Sequence, residues 1–223
     1  MPGATTPGIW ARARRTIWEE NPAWAQLLGL CPLLAVSTST VNALGLAIAT
    51  VFVLSASNVS IAAIRAFIPT EARLPAFMLV IAGFTTIALL LMQAFAFDAY
   101  TRVALFVQII VTNCIILARA ERQASRQGIG AALVDGLAAG FGFAVALLIL
   151  GMTRELIGQG TLFASMDTLL GPWASGWRIE LTNSGILLAR LPPGAFIIAG
   201  LLLAIWNGSG ARRNRKATRA KQA

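Results

Sequence analysis

Cys31 and Cys114 are the two cysteines of a 223-residue chain that contains no histidine. Each lies in a short apolar segment broken by polar or helix-breaking residues. The run Ala23 to Val36 holds Cys31-Pro32 and gives way to Ser37-Thr38-Ser39-Thr40-Val41-Asn42, while Val103 to Ala118 is interrupted by Gln108 and Thr112-Asn113-Cys114. Proline lacks a backbone donor and disfavours helical angles at the residue before it, so a helix break is expected beside Cys31. Thiols so placed admit three roles: small apolar packing groups, a disulfide, or thiolate ligands to a buried metal. The lack of histidine removes imidazole ligation of haem or zinc and any Ser-His-Asp chemistry. No C-x-x-C is present for a zinc ribbon or a thioredoxin-type site. An iron-sulfur cluster needs four ligands, usually thiolates, so this chain would hold one only with a second polypeptide.

The elements that position these thiols belong in a bilayer. The chain is 57% hydrophobic and 12% charged, with mean hydropathy +0.73, and its apolar stretches reach the roughly 20 residues that cross about 30 Å of hydrocarbon. The expected fold is an all-α integral membrane protein with segments at 23–41, 43–65, 75–97, 103–119, 131–153 and 186–206. A cytoplasmic arm (1–22) precedes this membrane domain (23–206), and a basic cytoplasmic tail (207–223) follows it. No A-x-A-like cleavage site follows the first apolar run, so a removed signal is not expected. The first and fourth segments are short and interrupted. Irregular backbone cannot face lipid, so both are expected inside a bundle or at a subunit contact.

The net charge of +9 sits at chain ends and short loops, as membrane topology requires, and does not indicate nucleic-acid binding. One side of a six-span arrangement holds 14 Lys and Arg residues, among them Arg12, Arg65, Arg119, Arg126 and the tail from Arg212; the other holds four, Arg102, Arg154, Arg178 and Arg190. The positive-inside rule then places both termini in the cytoplasm. Trp173 and Trp177 suit the interface in the long exterior segment. Three spans per half is an odd number, so related halves would be inverted, bringing Cys31 and Cys114 toward the midplane from opposite faces, roughly 12 Å and 16 Å deep. Gly45 and Gly128, equally spaced after the cysteines, are a thin further sign of a repeat. Broken helices at corresponding places in two halves mark a site at an inverted-repeat interface, a pattern that also suits a secondary ion or solute transporter.

The remaining polar groups read as structural. Arg119 and Glu121 are expected at a solvated helix end, with Arg119 snorkelling. Asp135 suits the positive end of the fifth span, and Arg154 and Glu155 suggest a local ion pair. Gly136, Gly140 and Gly142 permit close helix approach. The polar cluster 37–40, with Asn42, Ser55, Ser57, Asn58 and Ser60, is expected to make helix–helix and loop hydrogen bonds. The tail from Arg212 is expected to touch anionic lipid.

Taken together, Leu-Gly-Leu-Cys-Pro-Leu-Leu-Ala-Val (28–36), Ile-Val-Thr-Asn-Cys-Ile (110–115), Arg-Ala-Glu (119–121), Asp135-Gly136, Arg154-Glu155-Leu156-Ile157-Gly158 and Gly-Thr-Leu-Phe (160–163) carry a resemblance. With Leu-Pro-Pro-Gly-Ala-Phe (191–196), these motifs resemble the NqrD/RnfE family of electron-transport subunits, from about Asn21 to Trp206. The Cys-Pro start and the Leu-Pro-Pro-Gly-Ala-Phe run are similar to the RnfE (RsxE) branch more than to NqrD, the counterpart in sodium-translocating NADH:quinone reductase. The resemblance implies an electron carrier within an Rnf-type ion-translocating ferredoxin:NAD oxidoreductase of the bacterial inner membrane. It further implies that Cys31 and Cys114 share a 2Fe-2S cluster with two cysteines of the paralogous RnfA subunit, alongside RnfB, RnfC, RnfD and RnfG type subunits. Ala118 departs from the glycine usual before Arg-Ala-Glu and leaves the ligands untouched. Gly3-Ala4-Thr5 is similar to the covalent flavin site of sister subunits, but Pro2 stands in place of its serine, and flavin attachment is not expected.

The charge asymmetry makes the topology testable. Reporter fusions after Arg15, Arg126 and Arg212 should read cytoplasmic and those at Gly45, Asp98 and Met166 exterior; a cytoplasmic reading at Met166 would refute six spans.

Overall fold

The computed structural model describes residues 24, 26–95, 97–125, 128–162, 179–180 and 191–222. The arm 1–22, residues 186–190, Trp173 and Trp177 lie outside them. The described residues form seven α-helices: α1 (Leu30–Val36), α2 (Thr40–Ile64), α3 (Arg73–Phe95), α4 (Phe97–Gln108), α5 (Cys114–Arg119), α6 (Ile129–Gln159) and α7 (Pro192–Gln222). A two-residue antiparallel pair joins β1 (Thr161–Leu162) to β2 (Ile179–Glu180). Four helical stretches, 40–64, 73–95, 104–124 and 129–159, are long and apolar enough to cross a membrane, and Pro192–Gly208 is a shorter apolar helix.

The two interrupted segments are where sequence and structure part in detail. Among its described residues, the first is helical over the seven residues of α1 and again from Thr40, where α2 begins, and the break lies ahead of Cys31 rather than at it. Leu27 and Gly29 take left-handed backbone, with φ of 54° and 74°. Cys31 and Pro32 then fall in the first turn, where a proline's missing N–H would have had no helical acceptor anyway. In the fourth segment, α4 tightens into a 3-10 turn over Ile109–Thr112, restarts as α5, and widens into a π turn over Ala120–Ala124. Asn113 caps the restart, its Oδ1 accepting from the Ile115 N–H at 3.2 Å.

The core is the antiparallel pair α2 and α6. Thr40 lies beside Glu155, and Ile61 packs in one apolar cluster with Ala132. With no hydrophobic gradient between a helix interior and lipid, close contact must come from small residues, and α6 supplies them. A Cβ added at Gly136 would lie 3.1 Å from the Ser55 Cα; at Gly140, 3.2 Å from the Val51 Cα; and at Gly151, 3.0 Å from the Ala43 Cβ. The hydroxyls of α2 bond mostly within it: Thr50 donates to the Leu46 carbonyl at 2.8 Å, Ser55 to Val51 at 2.7 Å and Ser57 to Leu54 at 3.2 Å. Asn58 is fully buried against Gly136, with neither amide atom hydrogen-bonded. Gly45 lies inside α2, whereas Gly128 caps α6, so the paired glycines occupy different backbone roles. The first joint spans Ser37 to Ser39, while α5 is followed by the π turn over Ala120–Ala124.

Two contacts bring distant parts of the chain to one end of the bundle. Trp24 stacks on Trp206 with ring centroids 6.3 Å apart, and Arg122 Nη2 donates to the Gln26 side-chain oxygen at 3.4 Å.

The glycine seam predicts that Gly140→Leu overpacks the α2–α6 contact and destabilises the chain by about 1–3 kcal/mol. Gly83→Leu, where nothing lies within 4 Å, should be close to neutral; thermal unfolding in detergent compares the two.

Candidate functional site

Both cysteines are free thiols exposed on the surface of the chain, which sets aside the disulfide. They occupy equivalent places: Cys31 follows Leu30 at the start of α1, and Cys114 opens α5 directly after its Asn113 cap.

The turns that carry the thiols meet. Gly29, two residues before Cys31, approaches Ile115, the residue after Cys114, so closely that an added Cβ would lie 2.5 Å from the Ile115 Cδ1. The same Cβ would lie 3.1 Å from Cε2 of Phe143, a fully buried side chain near the middle of α6. The N-terminal ends of α1 and α5 thus converge at the centre of α6, and their C-terminal ends point to its two ends.

At one of those ends, Arg154 and Glu155 hold the joint between α1 and α2. Arg154 Nη1 donates to the Leu34 carbonyl and to Ser37 Oγ, each at 2.9 Å, and Nη2 to the Leu191 carbonyl at 3.4 Å. Glu155 Oε2 accepts from the Thr40 N–H at 2.7 Å. A cation therefore serves the carbonyl end of one helix and a carboxylate the N–H end of the next. Their expected role as a local ion pair misses this work on the backbone, because the joint they serve is over a hundred residues away in sequence. At the other end, Arg119 Nη1 pairs with Asp135 Oδ1 at 3.0 Å, with the two side chains 6% and 3% exposed. That corrects the expectation of a snorkelling Arg119: it turns inward because α6 presents a buried carboxylate. Glu121 is exposed.

The chain's donor set suits part of a sulfur-rich metal site. It presents two soft thiols, and among the described residues no group of three or more Cys, His, Asp or Glu gathers to complete one. Four-thiolate coordination thus fits these residues as half a site open at the chain's surface.

Over residues 9–203 the chain matches the family described as Rnf-Nqr subunit, membrane protein. It belongs to the Rnf-Nqr family. Among its relatives are proteins named as the E subunit of an ion-translocating oxidoreductase complex. The one from Shewanella amazonensis is 52% identical over 190 residues, covering 84% of this chain and 82% of that protein. Those from Pseudomonas paraeruginosa and Pseudomonas aeruginosa are 50% and 51% identical, over 90% and 87% of this chain and 84% and 83% of their own lengths. Within an Rnf-Nqr fold of this kind, Gly29, Arg154 and the Arg119–Asp135 pair are the residues whose site roles appear only in three dimensions.

Gly29 tests the convergence. Gly29→Ala forces a side chain into left-handed backbone and against Ile115, and should cost about 1–2 kcal/mol or more. Gly130→Ala, in open space within α6, should cost nothing measurable by the same thermal unfolding.

Proposed function

We propose that this chain is the electron-carrying membrane subunit of an Rnf-type ion-translocating ferredoxin:NAD oxidoreductase complex. In this reading Cys31 and Cys114 are its two ligands to a 2Fe-2S cluster that an RnfA-like paralogue completes with two more. The observation that carries the proposal is the meeting of the two cysteine-bearing turns beside Phe143, with both thiols exposed. The names of the relatives favour the RnfE type over the NqrD type.

The chain's own residues have three tasks. The first turns of α1 and α5 carry the two thiols on stretches of chain that meet beside Phe143. The apolar surround of Ile115, Phe143 and Leu33 keeps water from the inner side of the turns. The exposed outer side leaves the thiols open to a second polypeptide. A 2Fe-2S cluster held there would supply one-electron chemistry, dividing one long transfer into shorter ones.

The contacts support an inverted arrangement of two three-span halves. The C-terminal end of α1 lies beside Arg154 and that of α5 beside Asp135, about 28 Å apart along α6 at ~1.5 Å per residue. Trp24 and Trp206 stack at one end with Gln26 and Arg122, which suits entry and exit on the same side and an even number of crossings. The charge asymmetry would make that side cytoplasmic, in the inner membrane of a bacterium. RnfB, RnfC, RnfD and RnfG type subunits would complete the complex, and the basic end of α7 would meet anionic lipid.

Ligand arithmetic sets the test. Co-expression with the two-cysteine paralogue should give about two irons per heterodimer and a reduced-state EPR signal, and the chain alone little or no iron. Cys31→Ser or Cys114→Ser should each abolish signal and electron transfer, because alkoxide oxygen replaces soft sulfur. Thr86→Ala, exposed on α3, is the neutral comparison. A full two-iron complement in the verified monomer would overturn the shared site, and wild-type turnover in either cysteine variant would overturn the ligand assignment.

A further inference from the structure

Helices as short as α1 and α5, about 10 Å and 9 Å long, do not hold a position by themselves. Each nevertheless carries a thiol at its N-terminal end. What fixes them is visible at the opposite ends. The Leu34 carbonyl and Ser37 hydroxyl, at the C-terminal end of α1, both accept from Arg154, and the following helix is held by Glu155 through the Thr40 N–H. Arg119, the last residue of α5, pairs with Asp135. Arg154, Glu155 and Asp135 all stand on α6, and all are at most 4% exposed. The middle of the same helix supplies Phe143, against which the two N-terminal ends meet. From Phe143 it is about 12 Å along the axis to Asp135 and about 16 Å to Arg154, spans that the two short helices and their joints fill.

We infer that α6 sets the placement of both thiols through two separate buried anchors. Arg154 and Glu155 are positioning residues for Cys31, and the Arg119–Asp135 pair positions Cys114. Each anchor is strong for the same reason. A charged or backbone polar group removed from water and left unpaired is costly, so each short helix has one low-energy seat on α6. The bearing on electron transfer rests on the reading of Cys31 and Cys114 as ligands; the anchoring does not.

Because the chain has two cysteines, replacing either by serine leaves one attachment point for a nitroxide. The full-length chain, reconstituted in lipid and labelled at Cys31 or at Cys114, reports one short helix at a time through its EPR line shape. Arg154→Met and Glu155→Met should narrow the line at Cys31, showing faster motion, and leave Cys114 unchanged. The double replacement Arg119→Met with Asp135→Leu, which strands no charge, should narrow the line at Cys114 alone. Glu155→Gln, which keeps an oxygen for the Thr40 N–H, should restore the wild-type line. Ser37→Ala, which removes one acceptor and leaves the Leu34 and Leu191 carbonyls to Arg154, is the mild variant and should act at Cys31 in the same direction.

Equal responses at both labels, or none at Cys31 in Glu155→Met and Ser37→Ala, would overturn the separate anchors. In the co-expressed complex the same variants should shift the cluster's midpoint potential. Selective line-shape changes in the labelled chains, with no iron in the co-expressed complex that keeps both cysteines and every anchor residue, would uphold the anchors and overturn the ligand reading. Full iron with unchanged line shapes would do the reverse.

Discussion

A helix interrupted in the packed interior of a bundle leaves carbonyls at one end and N–H groups at the other, out of reach of water. This architecture has two such breaks, and the rest of the fold is arranged around closing them. The first is closed by a dipeptide of opposite charges, Arg154 toward the carbonyl end of α1 and Glu155 toward the N–H end of α2. The second is closed by the Asn113 side chain at the start of α5 and by the Arg119–Asp135 pair at its end. Charges are tolerated in this interior because each is matched to a partner of opposite polarity on another part of the chain.

That requirement explains the length and composition of α6. A 31-residue helix, ended by Gly160 in left-handed conformation, can present a carboxylate near one end, an Arg-Glu pair near the other and a packing aromatic between. Its glycines allow α2 to lie against it along the whole run, so the two form a rigid base for the short helices. The consequence is a division of surfaces. Buried polar groups face inward and fix position, while the soft sulfur atoms face outward, where a second polypeptide can reach them in the proposed function.

Much of this was legible in the sequence. Hydropathy located α2, α3 and α6 to within a few residues, apart from the six further residues by which α6 runs past 153, because a run of about 20 apolar residues has few other stable states in a bilayer. The interrupted segments around Cys31 and Cys114 were also visible, since proline and amide side chains disrupt an apolar run whatever the tertiary fold. The exact seat of the first break was not. Proline restricts its neighbour only as a tendency, and Gly29, free to take a positive φ, absorbed the irregularity first.

The partners of the charged residues were decided by tertiary structure alone. Arg119 looked like a solvated helix end, and the reading of Arg154-Glu155 as a local ion pair left out their bonds to distant backbone, because local sequence cannot show which distant backbone groups lack water. Once α1, α2 and α5 pack on α6, those groups are the nearest unsatisfied dipoles, and the charges turn to them. The sequence by itself determined the membrane-spanning class, the family and the two thiols, since these depend on composition and local spacing. The meeting of those thiols' turns at one place depends on contacts between segments more than eighty residues apart, which only the folded chain brings within reach.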